Sequence, residues 1–347
     1  MTGKTDFKIY SHNTAREIEG ELHNFSKEWH TAIANDFSKL IAWNKRFTQS
    51  FFGGKMIRGT LVKLSYELTE KQTAKAIIKP AAAFEILHTS LMIHDDIIDQ
   101  SPLRRGKRAL HISNDNNHYG ISQALCLGDI GITQSIKLLS ESDFPIERRN
   151  LALNFFLQMV TDTMLGEMLD IESAQAYQRT EKHILDIYKT KTANYTIVGP
   201  LSLGAILGGA SDELLKTIKL FGEYLGIAFQ IQDDILGIFG DENTIGKSIT
   251  SDIEENKSTL LLTYSLKQAT KEQQAILKAY YGKSGITKEQ HEQIKQVFHD
   301  SGALDYCKNM IIKLTSQAKE LIPQLSQNDS KQELLTQFID LLVKREK

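Results

Sequence analysis

Proline and cysteine are both scarce in this chain of 347 residues, with 5 of the first and 2 of the second. No stretch is rich in serine and glycine, so the usual marks of an interdomain linker are missing. Length alone suggests about two domains. Composition marks no boundary, however, and residues 1–347 are read as one domain. Alternating apolar–polar runs are almost absent, which leaves an all-α fold. The two cysteines, Cys126 and Cys307, lie far apart and match no zinc or redox spacing. They are expected to be small buried hydrophobes in a reducing compartment. Charge of one sign is not in excess either. Lys and Arg number 41 against 43 Asp and Glu, a formal net charge of -2. That balance argues against nucleic acid as a partner, because phosphate-backbone binders are usually distinctly basic. Met1 to Asp6 has no apolar signal-peptide core. Thr192 to Ser211 is uncharged and long enough to suggest a membrane span. Gly199, Pro200, Gly204, Gly208 and Gly209 interrupt it, so a buried helix packed through small residues is expected. Without a leader or an integral span, the cytoplasm is the expected location.

What the chain does have is helical periodicity. Ile18, Leu22, Phe25, Trp29 and Ile33 recur at three- and four-residue steps, predicting an amphipathic helix over 13–45. Gly53-Gly54 breaks the chain, and a helix is expected to resume over 55–68. Pro80 suits the first position of a helix that runs to about Gln100, where Ser101-Pro102 stops it. Further helices are predicted near 120–141, 146–177, 181–208, 212–238, 257–269, 270–282, 287–300, 303–322 and 329–346. The polar, glycine-bearing segment from Gly240 to Gly246 is a candidate lid, with a plain surface connection as the default.

Two acidic clusters stand out. The first is His94-Asp95-Asp96-Ile97-Ile98-Asp99, followed by Arg104-Arg105-Gly106. The second is Gln230-Ile231-Gln232-Asp233-Asp234, with Lys247 and Lys257 beyond it. Carboxylates on apolar helices are costly to bury without a neutralising cation. Asp95 and Asp99 are four apart and share a helix face with His88, while Gln230, Asp233 and Gly237 fall on one stripe. Magnesium favours oxygen ligands and binds through a few carboxylates plus substrate phosphates. Asp95, Asp99 and Asp233 can supply the protein's share. Arg104, Lys191, Lys247 and Lys257 can then hold a diphosphate that the metal also binds. Lys55, Arg58 and Arg105, beside Gly53-Gly54, can form a second, metal-free anion pocket.

These residues carry a resemblance. The chain resembles the trans-isoprenyl diphosphate synthases, the polyprenyl synthetase family, on several segments in the family's order. They are Gly53 to Gly59, Asp95 to Asp99 with Arg104-Arg105-Gly106, Lys191-Thr192-Ala193, Phe229 to Asp234, Gly246-Lys247-Ser248, and Asp252-Ile253 with Lys257 to Leu260. They span residues from about 53 to 260. The resemblance implies an isoprenoid synthase-type helical bundle around a deep central cavity, usually homodimeric. It also implies head-to-tail condensation of an allylic diphosphate with isopentenyl diphosphate, with three Mg2+ ions when substrate is bound. By motif, Asp95, Asp99 and Asp233 become magnesium ligands. Arg104, Lys191, Thr192, Gln230, Lys247 and Lys257 become allylic-substrate residues. Lys55, Arg58, His88 and Arg105 become the isopentenyl diphosphate pocket.

Some positions depart from the family pattern. Gly237 stands where a third aspartate is usual, and Asp241 or Asp252 could compensate unless that carboxylate is dispensable. Met56 and Gly59 replace a commoner base and proline, and Gly166-Glu167 stands where glycine and glutamine are usual. Ser90, five residues before Asp95, occupies a position often filled by a bulky aromatic in short-chain members. A serine is expected to leave the way open, so the predicted product is geranylgeranyl or longer. Phe84 and Leu87 are the next candidates for the floor. Three rival readings are weighed. A non-catalytic or co-catalytic subunit of a heteromeric prenyl synthase would lack aspartates or arginines that this chain keeps. An HD-type metal phosphohydrolase would leave Arg104-Arg105 and the second aspartate pair unused. A terpene cyclase would not need the second diphosphate pocket.

Overall fold

A computed structural model describes residues 6–69, 75–113, 117–175, 180–240 and 249–343. The chain divides into two compact units, one of Met1–Leu157 with Pro200–Leu215, the other of Gln158–Gly199 with Lys216–Lys347. Neither unit is a continuous stretch of sequence, because the chain passes between them more than once.

In the first unit, α1 (Phe7–Asp36) starts at Asp6, whose side chain accepts from Lys8 N at 2.7 Å. Ile18 and Leu22 of the expected stripe are fully buried. The helix predicted over 13–45 is in fact broken. Phe37 leaves helical geometry (φ -137°, ψ 48°), and a 3-10 turn (Ser38–Leu40) leads into α2 (Ile41–Gln49). Periodicity alone does not register one residue of non-helical backbone. Next come α3 (Ile57–Thr69) and α4 (Ile78–Ile98). Pro80 is the third residue of α4 rather than its first. It is still within the first turn, where an N–H has no intrahelical partner to lose.

The centre of α4 is buried nearly all round, from Pro80 to Leu87. Among the described residues, the span Lys75–Ile98 is the one long and apolar enough to cross a membrane, yet 67% of its apolar window is buried within the protein. It is the core helix of its unit. α5 (Asn117–Ser140) packs onto α4 through glycines. A Cβ on Gly128 would lie 2.2 Å from His94 Nε2, and one on Gly131 would lie 1.9 Å from Ser90 Oγ. α8 (Gly199–Leu207) approaches α3 in the same way, since a Cβ on Gly204 would lie 2.0 Å from the Val62 carbonyl oxygen. The small-residue packing expected of that stretch is therefore present.

α6 (Ile146–Gln175) runs from the first unit into the second. There α7 (Glu181–Ile187), capped by Thr180, passes into a π-helical segment, Tyr188–Val198. Then α9 (Asp212–Phe239) carries the second acidic cluster. A one-turn helix, Ser251–Glu254, precedes five more: Leu260–Gln268, Lys271–Tyr280, Lys288–Asp300, Ala303–Leu325 and Asp329–Val343. Capping boxes at Thr270/Gln273 and Thr287/Gln290 start two of these, satisfying donors that a helix start leaves open. Ile231 and Ile235 of α9 pack in one apolar core with Leu261, Phe298 and Ile311. That core, of which Tyr188 is also part, fixes α9 and with it Asp233 and Asp234.

Candidate active site

The first acidic cluster ends α4. Asp96 is only 3% exposed, so its charge needs a partner. Arg104 provides one. Its Nε donates to Asp96 Oδ1 at 2.8 Å, and its Nη2 donates to Asp96 Oδ1 and, at 3.3 Å, to Asp95 Oδ2. Burial works against the guanidinium charge. The Asp96 hydrogen bond and the charges of Asp96, Asp95 and Asp99 outweigh it and raise the Arg104 pKa. A two-stranded hairpin, β1 (Leu103–Arg104) with β2 (Lys107–Arg108), delivers this arginine. Its turn residues Arg105 and Gly106 both have positive φ, 51° and 71°. That pattern matches a type I′ turn.

The same turn turns Arg105 the other way. Its Nη1 donates to the Phe52 carbonyl at 3.1 Å, and its Nη2 would lie 2.9 Å from a Cβ on Gly54. Gly54 thus lets a guanidinium rest on bare backbone, while Gly53, at φ 86°, makes the left-handed step before it. On α4, Glu85 is buried and accepts from Gly59 N at 2.7 Å. Burial pushes its pKa up, against the Gly59 hydrogen bond and the nearby Arg58 and Arg105. His88, one turn on, is held well below the usual histidine range by burial, then by the charges of Arg58, Arg105 and Arg104. Arg58, His88 and Arg105 are therefore one electropositive group, neutral at the histidine and balanced by Glu85. Lys55 sits exposed beside it, next to Gly54.

The second cluster repeats the design. Asp234 is 2% exposed and takes the hydroxyl of Tyr188 on Oδ2 and the Gln230 amide on Oδ1 at 2.8 Å. Thr192 Oγ1 donates to Gln230 Oε1 at 2.6 Å, and the Tyr188 hydroxyl accepts from Leu260 N at 3.0 Å. Burial pushes the Asp234 pKa up to about 7, with Lys257 opposing and Asp252 adding. Asp233, the neighbouring acid, is exposed. Lys191 Nζ lies 2.6 Å from Asp170 Oδ2 and 2.8 Å from Glu167 Oε2. Lys257 Nζ lies 3.5 Å from Asp252 Oδ1. Attraction to Asp252, then Asp234, Asp170 and Asp233, raises its pKa against the cost of burial.

Each aspartate pair is thus divided. One member, Asp96 or Asp234, is buried and engaged inward, while Asp95 and Asp233 stand at or near the surface with Asp99, the C-cap of α4. Asp95 and Asp99 in the first unit, and Asp233 in the second, each present carboxylate oxygen, the donor type that a hard divalent ion prefers. Among the described residues no group of three acidic, histidine or cysteine side chains can hold an ion alone.

Lys247 lies outside the described residues, as do Asp241 and most of the candidate lid. Ser90 differs from its expectation. It is fully buried, its hydroxyl donates to the Ile86 carbonyl at 2.8 Å, and it meets Gly131 rather than open space. Phe47 closes the same spot, since its Cζ would lie 3.0 Å from a Cβ on Gly131. Leu87 and Phe84 are also fully buried, and Phe84 meets Phe156 edge-on at 5.5 Å. Sequence reasoning named Asp96 and Asp234 within the clusters but gave them no role, and it missed Tyr188, Glu85 and Asp170. The doubled aspartates were the available signal for the first two, and no motif marks the others.

A sequence profile of the polyprenyl synthetase family matches residues 42–300. The chain belongs to this family. A geranylgeranyl diphosphate synthase of Sulfolobus acidocaldarius is 31% identical over 342 residues, covering 97% of this chain and 99% of that protein. A geranylfarnesyl diphosphate synthase of Natronomonas pharaonis is 28% identical over 308 residues, 84% of this chain and 86% of the relative. Among solved structures, geranylgeranyl pyrophosphate synthase of Corynebacterium glutamicum, complexed with isoprenyl diphosphate and magnesium, superposes with a TM-score of 0.87. It is 25% identical and covers 98% of this chain and 100% of that one. The fold is accordingly the all-α isoprenoid synthase fold, and the protein is an isoprenyl diphosphate synthase, a transferase of alkyl groups.

Proposed function

We propose that the protein joins an allylic diphosphate to isopentenyl diphosphate head to tail, releasing diphosphate and giving a trans-polyprenyl diphosphate of geranylgeranyl length or longer. The division of each aspartate pair into a buried and a presented carboxylate is the observation that carries this reading. Asp95, Asp99 and Asp233 would hold magnesium, three ions with substrate bound. When bound, the metal supplies charge stabilisation to the departing diphosphate. Arg104, Lys191, Lys247 and Lys257, with Thr192 and Gln230, would bind and orient the allylic diphosphate. Lys55, Arg58, His88 and Arg105 would bind isopentenyl diphosphate.

The chemistry follows from charge. As the allylic carbon–oxygen bond breaks, negative charge grows on the diphosphate. Cations placed there stabilise the transition state more than the ground state, which lowers the barrier. The isopentenyl double bond then attacks the allylic cation, a carbon–carbon bond forms, and a proton leaves to the departing diphosphate. Water would quench the cation, so the site must close around it.

The enzyme is expected to act as a water-soluble homodimer. One face of α6 supports this, because Ile146, Leu157, Met164, Leu165, Met168 and Ile171 recur on it and are 39–61% exposed. The test is direct. Pure protein is incubated with magnesium, labelled isopentenyl diphosphate and each allylic primer in turn, and the products are sized. Labelled chains of twenty carbons or more are expected. Their absence with every primer would contradict the reading, and turnover only beside a second protein would favour a heteromeric subunit.

A further inference from the structure

α6 meets the π-helical segment Tyr188–Val198 at Lys191, and it does so at both ends of that residue. At the base the two backbones touch. A Cβ on Gly166 would lie 2.5 Å from Lys191 N and 2.8 Å from Lys191 Cα, so only a residue without a side chain lets them come this close. At the tip two carboxylates of α6, three residues apart and so on one face, close on the ammonium. Lys191 Nζ lies 2.8 Å from Glu167 Oε2 and 2.6 Å from Asp170 Oδ2. These are the distances of charge-assisted contacts. The three side chains are 14–22% exposed, so an incoming anion has access to the ammonium. Asp170 also attracts Lys257, and is thus shared between two cations. Glu167 is the added charge, at the position where a neutral glutamine is usual.

We infer that Glu167 is a positioning residue that holds Lys191 against the diphosphate, and so weakens the allylic site's grip on every ligand carrying that group. An ammonium has a single positive charge. With two carboxylates already on it, a diphosphate arriving at Lys191 must compete for that charge. Glu167 acts through the lysine and not on the reacting atoms. Its effect on turnover is release, because allylic substrate, prenyl product and the freed diphosphate ion all carry the contested group. Lys191 is a diphosphate residue only under the function proposed above, and the inference rests on that reading.

Glu167→Gln keeps the shape and removes the charge. Wild type, Glu167→Gln, Lys191→Ala and the double variant are titrated in a calorimeter, in magnesium, with inorganic diphosphate and with an unreactive allylic diphosphate analogue. Prenyl transfer is assayed alongside. Glu167→Gln is expected to bind both probes about tenfold more tightly, the size of one charge interaction at a partly exposed site. Inorganic diphosphate is expected to inhibit its prenyl transfer more strongly by the same factor. Replacing a merely structural residue would weaken binding, not tighten it. Without Lys191 the same substitution is expected to gain about threefold or less, because the residue through which it acts is gone. Unchanged or weaker binding by Glu167→Gln would overturn the inference, and so would a gain of equal size with and without Lys191. Either result, beside a wild type that elongates the allylic primer, leaves the proposed function standing. A wild type that binds neither probe sinks that function and the inference with it.

Discussion

At the scale of single residues, the site works by committing some charges inward so that others can face out. Arg104 illustrates this. The motif implies a diphosphate ligand, yet the guanidinium also holds Asp96 and leans on Asp95. Breaking such a pair by removing one partner typically costs about 3–5 kcal/mol, because the remaining charge is stranded. His88 makes a pH-dependent prediction. Its folded-state pKa is depressed by burial and by Arg58, Arg105 and Arg104. The folded chain therefore binds fewer protons here than the unfolded chain below the ordinary histidine pKa, about 6.5. The stability that depends on neutral His88 is present above that pH and is lost as pH falls through it. His88→Gln should remove that dependence. Melting temperatures from pH 8 to 5 are expected to fall less steeply for the variant than for the wild type, and parallel curves would contradict the assignment.

At the scale of elements, much was legible in the sequence. Helix positions followed from period, and the helices predicted over 270–282 and 287–300 do begin at Thr270 and Thr287, where a threonine precedes glutamine by three. Two short features were not legible, and both carry the site. The hairpin strands are two residues each, too short for an alternating pattern, and only Gly106 after Arg105 hints at the turn. The π segment Tyr188–Val198, with its rare i→i+5 hydrogen bonding, has no compositional mark. Yet that segment carries Tyr188 to Asp234, Lys191 to Asp170 and Thr192 to Gln230.

The α4–α5 contact is likewise invisible to periodicity, because a glycine looks alike in a tight contact and in an open one. Here Gly131 allows α5 to meet Ser90, with Phe47 beside them. Ser90→Phe must force these elements apart, an overpacking cost of about 1–3 kcal/mol. The variant is expected to melt lower and to make shorter products. An unchanged product from a folded variant would remove position 90 from the control of chain length.

At the scale of the whole molecule, the presented carboxylates are useful only if a substrate joins them, and the apolar stripe of α6 only if another protein covers it. Assembly can be tested separately from chemistry. Wild-type protein is expected to sediment as a dimer, and Leu165→Glu with Met168→Glu as a monomer. A wild-type monomer, or a variant dimer, would show that the stripe serves another purpose. Chemistry is best tested by a crystal structure with magnesium and an unreactive allylic diphosphate analogue. Oxygens of Asp95, Asp99 and Asp233 are expected about 2.0–2.1 Å from ions that also contact the analogue's diphosphate. An analogue whose diphosphate is held with ions on Asp95 and Asp99 alone, or on Asp233 alone, would contradict the account.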